Sequence, residues 1–305
     1  MYICIVSRGY PTDQYKMNGI FEYDQAKALV QAGQKVVMAV VDLRSIRRKR
    51  KLGVSHCTQD GMEIYTVSLP IGRCPAALRD RIGIWALRRL SRRIEKEQGK
   101  PDILHGHFTN ISYMASDWAK RENIPFVVTE HASQMNKQDV PADLLKEAKS
   151  AYRRADLVIA VGTALAKNMQ RLTGIQAKVI GNVVDAEPFI KNRRLNVDNN
   201  FSFAIVSAGN LIPSKRMDLL VSAFIKFHRR HKESTLTIFG NGELRPLLEK
   251  QISINGLDSV IRLMGICPHT EMAEIYKTAD CFALPSASET FGVAYIEAMA
   301  AGLPV

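Results

Sequence analysis

The chain has 305 residues, 46% of them hydrophobic and 24% charged, with a formal net charge of +12. That length accommodates two domains with a core in each, and the balance is that of an ordinary globular protein. No apolar run approaches the roughly 18 residues of a spanning helix. The five cysteines (Cys4, Cys57, Cys74, Cys267, Cys281) are scattered without a CxxC pair, so neither disulfides nor a zinc site is expected, and a reducing cytosol fits.

Met1-Tyr-Ile-Cys-Ile-Val begins directly as a strand, without the basic segment of a signal peptide. "GIFEYDQAKALVQAG" then has helical spacing and closes on Gly33, a natural left-handed cap. "KVVMAVV" is the next strand, followed by a basic loop and a hairpin around Asp60-Gly61. "DILHGH", "PFVVTEH", "ADLVIAVG" and "AKVIGN" are short apolar strands separated by helical stretches. Continuous Val/Ile/Leu runs of this kind indicate parallel strands covered on both faces.

"KNRRLNVDNN", residues 191–200, is polar and aperiodic and reads as a linker between domains over 1–190 and 201–305. The alternation restarts with strands "FSFAIVSAG", "TLTIFG", "VIRLMG" and "CFALPS", and with helices near Met217–His228, Glu243–Ile254, Thr270–Thr278 and Gly292–Ala301. The expected fold class is α/β, two doubly wound Rossmann-like domains facing a ligand cleft at the carboxyl ends of their strands. Leu303-Pro304-Val305 reads as the entrance to a further strand, so the second domain is expected to be incomplete and the chain to be a fragment.

Charge is uneven. Between Val40 and Lys100 fifteen Lys/Arg face six Asp/Glu, a concentration that suggests an anionic partner. Within that window "LRDRIGIWALRRLSRRIEKE" places Ile82, Trp85, Leu90 and Ile94 on one face with arginines on its flanks. That pattern suits an interfacial amphipathic helix and packing on the domain core equally. No nucleic-acid module accompanies the charge, so nucleic acid is not expected as a partner. His105 and His107 in "HGHF" have spacing that a metal could use on a strand, but no third ligand is apparent and a structural role comes first. "GNGEL" is two glycines at a strand end, more simply a turn than a dinucleotide fingerprint.

The end of the chain carries the sharpest pattern. In "SETFGVAYIEAMAAG" Glu289 stands in the loop after a strand, and Glu297 lies about one and a half turns into the following helix. Gly292 at the helix start lets backbone N–H groups approach an anion such as a diphosphate. Two carboxylates flanking such a pocket are placed to accept hydrogen bonds from sugar hydroxyls; an ordinary strand-loop-helix with solvated glutamates is the alternative.

"GNLIPSKRMDLLVSAF", "GNGELRPLLE", "MGICPHTEMAEIYKTADCFALPS" and "SETFGVAYIEAMAAGLPV" occur in that order, and together they resemble the nucleotide-sugar domain of family 4 glycosyltransferases. "NGIFEYDQAKALVQAGQKV", "DILHGHF", "IPFVVTEH" and "VIGNVVDAEPF" resemble the N-terminal domain of that family, so the resemblance covers nearly the whole chain. It implies the GT-B fold and a retaining, metal-independent transfer of sugar from a nucleotide diphosphate donor to an acceptor hydroxyl. That acceptor would be a lipid-linked or cell-surface polysaccharide precursor. A cytoplasmic protein, peripheral on an anionic membrane surface through residues 40–100, is expected.

The resemblance also implies roles. Glu289 would hold donor-sugar hydroxyls, with the amides of Thr290, Phe291 and Gly292 nearby, and Glu297 would hold the ribose. Lys215 would bind the diphosphate, while Gly265 and Ile266 would offer backbone to the base. Gly19 would pass close to the phosphates, and His131 would contact sugar and phosphate near the reacting carbon. Two positions depart from the family. Asn210 stands where an arginine is common, leaving half of a cationic clamp missing unless Arg216 substitutes. The first loop has Asn18-Gly19 where two glycines are usual. A non-catalytic subunit that uses the same fold as a scaffold for another glycosyltransferase is the alternative that Asn210 favours.

Overall fold

The computed structural model describes residues 1–191 and 203–305, which divide into two units, Met1–Val183 and Val184–Val305. The first unit is built on an eight-stranded sheet in the order β3-β4-β2-β1-β5-β6-β7-β8. Its strands are β1 (Tyr2–Ser7), β2 (Lys35–Asp42), β3 (Gly53–Gln59), β4 (Met62–Ser68), β5 (Ile103–His107), β6 (Phe126–Glu130), β7 (Leu157–Ala160) and β8 (Lys178–Val179). All neighbours pair in parallel except β3, which returns antiparallel on β4. That return needs positive φ at both turn residues, and Asp60 (49°) and Gly61 (76°) supply it, as the Asp-Gly pair predicts.

Every residue of β1 is buried, which requires cover on both faces. Ile3, Ile5, Val36, Met38 and Ile64 meet Tyr23 and Ala26 of α1 (Ile20–Gln31) on one face. The other face carries α2 (Ala76–Gln98), α3 (Thr109–Glu122) and α4 (Ala142–Arg154), with α3 packed between its two neighbours. Gly33 closes α1 as the sequence predicts: at φ 78° its N–H reaches the Val30 carbonyl, and Gln34 reaches Leu29.

Helix α2 settles the question its pattern left open. Leu87, Leu90 and Ile94 are buried, each contributing about 1.5–3 kcal/mol. Trp85, expected on their face, is 58% exposed instead. The 3.6-residue period separates it from Leu90 by well over a right angle, so the packed face and the Trp85 face are different. Trp85 shares its outward side with exposed Arg81, Arg88, Arg89, Arg92 and Lys96.

The second unit has a parallel four-stranded sheet in the order β11-β10-β9-β12. Its strands are β9 (Phe203–Ala208), β10 (Ser234–Phe239), β11 (Ile261–Gly265) and the short β12 (Cys281–Phe282). Its helices are α6 (Glu187–Lys191), α7 (Met217–Arg230), α8 (Arg245–Ile254), α9 (His269–Lys277) and α10 (Val293–Ala300), while α5 (Thr163–Thr173) belongs to the first unit. The Pro304 carbonyl accepts the Phe282 N–H, placing the last residues beside β12. Helix α6, read in sequence with the first half, buries Phe189 in the core of the second unit beside Tyr276. The linker expected over residues 191–200 lies, from 192 onward, outside the described residues. All five cysteines are free; Cys4 is fully buried, whereas Cys281 is partly exposed.

Candidate active site

In the second unit the loops that leave β9, β10 and β11 are fastened together by backbone alone. Gly209 N–H donates to the Phe239 carbonyl, Leu211 N–H to Asn241, and Gly240 N–H to Gly265. A Cβ on Gly240 would lie 1.9 Å from the Gly209 oxygen, and one on Gly242 would lie 2.4 Å from the Leu211 oxygen. The "GNG" stretch therefore carries its two glycines because its backbone presses on that of the "GNL" stretch, in agreement with the turn reading.

That platform carries a 3-10 turn, Pro213–Lys215, followed by Arg216 in the left-handed region (φ 52°, ψ 38°) at the start of α7. Strained non-glycine backbone of this kind costs on the order of 1–3 kcal/mol and is concentrated at functional sites. The turn presents Lys215 to the loop that follows β12. Ala287 N–H donates to the Ser214 carbonyl, and Tyr295 Oη donates to the Leu284 carbonyl at 2.5 Å, holding the loop at both ends. Within it Glu289 Oε1 accepts from Lys215 Nζ at 2.5 Å, so two residues named separately from sequence form one ion pair.

Gly292 starts α10 with φ 85° and ψ 58°. A Cβ there would lie 2.7 Å from the Tyr295 ring and 3.9 Å from Glu289 Cγ, so a side chain would displace the wall of the site. Thr290 and Phe291 are half-buried between Glu289 and that helix start. Glu297 is buried on the second turn of α10, where its charge, after burial itself, helps to raise the Tyr276 phenol. Gly265 has φ 79° with open space around it, but its carbonyl already accepts the Gly240 N–H; Ile266 beside it is 74% exposed. Asn210 is exposed, and Arg216 directs its guanidinium towards Asp218 at 3.7 Å rather than towards the Lys215 pair.

In the first unit the expected residues gather at the carboxyl ends of β1, β5 and β6. Gly19 begins α1 with φ 65°, and a Cβ would lie 2.1 Å from the Gly9 oxygen. Asn18, the departure from two glycines, has a local use: its amide donates to the Tyr10 carbonyl and its oxygen accepts from Arg44 at 2.6 Å. His131 follows β6, its ring stacked on Phe21 and packed against Phe108. Burial lowers its pKa to about 4, so the ring is neutral near pH 7; the Asn182 amide opposes that shift and Arg8 adds to it.

Sequence reading missed what holds His131. Glu130 is fully buried, and its Oε1 accepts the backbone N–H groups of His131 and Ala132. Its Oε2 accepts Thr109 Oγ1 at 2.5 Å and Tyr152 Oη at 2.7 Å. Phe108 has φ 63°, a strained position for an aromatic residue, and lies beneath the Arg8 guanidinium at 4.5 Å. The signal was present in "HGHF" and "TEH", but the partners lie more than twenty residues apart. His105 and His107 spend a nitrogen each on Thr129 (2.8 Å) and on His131 (2.9 Å), which is the structural role placed first.

A sequence model described as Glycosyltransferase Family 4 matches residues 21–188, more than half of the chain, and one described as Glycosyl transferases group 1 matches residues 189–305. The chain belongs to glycosyltransferase family 4. Among relatives, it is 26% identical over 235 residues to an alpha-monoglucosyldiacylglycerol synthase of Acholeplasma laidlawii, covering 68% of this chain and 58% of the relative. It is 27% identical over 217 residues to a glycogen synthase of Mycobacterium tuberculosis, covering 68% and 51%. The chain thus spans little more than half the length of these relatives.

Solved structures agree on the fold at identities too low to say more. Sucrose-phosphate synthase from Thermosynechococcus elongatus superposes with TM-score 0.75 at 18% identity, over 100% of this chain and 80% of that one. Anabaena HepE in complex with UDP-glucose superposes with TM-score 0.69 at 19% identity, over 100% and 79%. The family 4 chain has the two-unit α/β GT-B fold that its sequence predicts. Among the described residues no helix is long and apolar enough to cross a membrane.

Proposed function

We propose that this chain carries the donor and acceptor machinery of a retaining glycosyltransferase that uses a nucleotide diphosphate-sugar. The observation that carries this reading is the Lys215–Glu289 pair beside the glycine-started helix α10. A cation and a helix N-terminus suit a diphosphate, and an adjacent carboxylate suits the hydroxyls of the attached sugar. HepE, of the same fold, was solved with UDP-glucose, which supports a nucleotide-sugar donor of that class. In the transfer, the bond from the anomeric carbon to the phosphate oxygen breaks and the acceptor oxygen bonds on the same face. The acceptor's proton passes to the departing phosphate, whose charge Lys215 and the α10 N-terminus stabilise. Metal has no assigned part in that step. In the first unit we assign the acceptor side to the Gly19 loop and His131.

The acceptor we propose is a lipid-linked or polysaccharide precursor at an anionic membrane surface. Support comes from the outward side of α2, where Trp85 stands among Arg81, Arg89, Arg92 and Lys96. An aromatic ring within a basic stripe suits the headgroup boundary of a bilayer. A radiolabelled transfer assay on the complete protein, with UDP-sugars and lipid or oligosaccharide acceptors, tests the function. Sugar transfer that disappears in Lys215→Ala supports it. Binding of nucleotide sugars with neither transfer nor hydrolysis would favour a scaffold subunit.

A further inference from the structure

The first unit holds a pair of histidines, of which the functional reading uses only one. His107 Nδ1 and His131 Nε2 lie 2.9 Å apart. The two outer nitrogens, His107 Nε2 and His131 Nδ1, are buried and make no hydrogen bond. Burial lowers the pKa of both rings, so both are neutral.

Two neutral imidazoles carry two protons on four nitrogens. One proton must occupy the 2.9 Å contact, because two protons or two bare lone pairs there would repel. The other proton then belongs to an outer nitrogen, and the two outer nitrogens always have opposite character. If His107 Nε2 bears a proton, His131 Nδ1 is a bare acceptor; if His107 Nε2 is bare, His131 Nδ1 is a donor.

The environment of His107 chooses between them. Its ring has 0% exposure and lies 4.4 Å from the His105 ring, which leaves its Nε2 without an acceptor. A buried N–H is left without a partner less readily than a buried acceptor, and the two rings differ in what they offer that proton. His107 is 0% exposed, whereas His131 keeps 6% exposure and has the Asn182 side chain beside it, whose hydrogen bonding favours its protonation. The proton therefore sits on His107 Nδ1 and is donated to His131 Nε2, leaving the remaining proton on His131 Nδ1. Phe21 and Phe108 pack the His131 ring and hold that orientation. We propose that His107 is a positioning residue that fixes His131 as its Nδ1–H tautomer, so that His131 presents a hydrogen-bond donor to an oxygen of the bound sugar nucleotide. The ligand contact rests on the glycosyltransferase reading; the tautomer does not.

Histidine-selective 15N labelling of the chain tests the pair directly. Long-range proton–nitrogen correlation at pH 7.5 should show His131 Nδ1 and His107 Nδ1 with protonated-type shifts, and both Nε2 atoms with bare-type shifts. The opposite assignment overturns the proposal without any variant. In the complete enzyme, His107→Phe should remove the lock, so that His131 averages between tautomers. Turnover should fall roughly tenfold, the worth of one hydrogen bond, with KM for the nucleotide sugar little changed. His107→Asn, which restores a donor on the same branch, should recover most of it. A His107→Phe enzyme that keeps both the His131 tautomer and full turnover would refute the positioning role. Full turnover in His131→Ala would instead remove the ligand contact and leave the tautomer result standing.

Discussion

Lys215 Nζ lies 2.5 Å from Glu289 Oε1 across 74 residues of sequence, with each side chain about a quarter exposed or less. Two groups proposed for one ligand are thus also in contact with each other. Phosphate oxygens can then take the lysine while sugar hydroxyls take the carboxylate, which exchanges one set of charged hydrogen bonds for another. Lys215→Ala and Glu289→Ala should each lower kcat/KM of the complete enzyme by about 10²–10³-fold, the scale of losing one preorganised charge-stabilising group. The double variant should lose less than the two effects combined, since the residues are in contact. Single variants within about threefold of wild type would remove the donor-site assignment.

Glycine at position 19 is demanded by contact as well as by φ. A Cβ there would stand 2.1 Å from the Gly9 oxygen, whereas Gly33 has a similar φ with nothing within 4 Å. Gly33→Ala should therefore cost about 1 kcal/mol, the left-handed penalty alone. Gly19→Ala should cost more and also shift the loop. Urea unfolding of the two variants side by side measures the difference, and equal costs would show that the Gly9–Gly19 crossing yields freely.

Much of this architecture is legible in the residues. Strand runs, the Asp60-Gly61 turn and the Gly33 cap are local features, and local features survive into the fold. What sequence could not show was pairing. Lys215 and Glu289 each had a role, but nothing between them announced that they meet. Glu130 read only as one residue of the "PFVVTEH" strand, because Thr109 and Tyr152 reach it only once α3 and α4 are packed. Trp85 was misplaced because its apolar character was weighed without its helical phase, which sets it well over a right angle from Leu90.

The buried histidines make stability depend on pH. His131 titrates near 4 and His105 near 3 in the fold, with His107 also far below the unfolded value of about 6.5, all chiefly because of burial. Below 6.5 the unfolded chain binds protons that the fold refuses. Their stabilisation is thus complete above 6.5 and is lost as pH falls towards 4. Glu22 and Glu147, raised to about 7 by burial, act oppositely and weaken the fold as pH rises from 4.5 through 7. Three imidazoles outweigh two carboxyls, so the urea midpoint should fall between pH 6.5 and pH 5. Glu22→Gln removes one opposing group and should steepen that fall. A midpoint that rises towards pH 5 in Glu22→Gln would contradict the buried, neutral state of the histidines.

In the proposed transfer, charge compensation at the donor site comes from Lys215 and the start of α10, both supplied by the protein. Transfer by the complete enzyme should therefore persist in excess EDTA. Activity that EDTA abolishes and Mg²⁺ or Mn²⁺ restores would place a metal in the step assigned here to those two elements.

The outward side of α2 should bind anionic membrane. Arg81, Trp85, Arg89, Arg92 and Lys96 recur at helical spacing on the side opposite buried Leu87, Leu90 and Ile94, so the packed face and the charged face are cleanly divided. Arg88 on the same side already pairs with Asp117 at 2.7 Å and contributes less. Each free basic residue near an anionic bilayer gains about 1 kcal/mol, a gain that salt screens within about 10 Å at 0.1 M. The chain should therefore co-sediment with vesicles containing phosphatidylglycerol and not with pure phosphatidylcholine, and raising the salt should release it. Reversing Arg89 and Arg92 to Glu should abolish binding without unfolding the protein, because both side chains are exposed. Trp85→Ala should weaken binding while leaving its salt dependence in place, since the ring contributes apolar area and no charge. Sedimentation indifferent to lipid charge, or unchanged in the Arg89/Arg92 reversal, would assign this stripe to solvent alone.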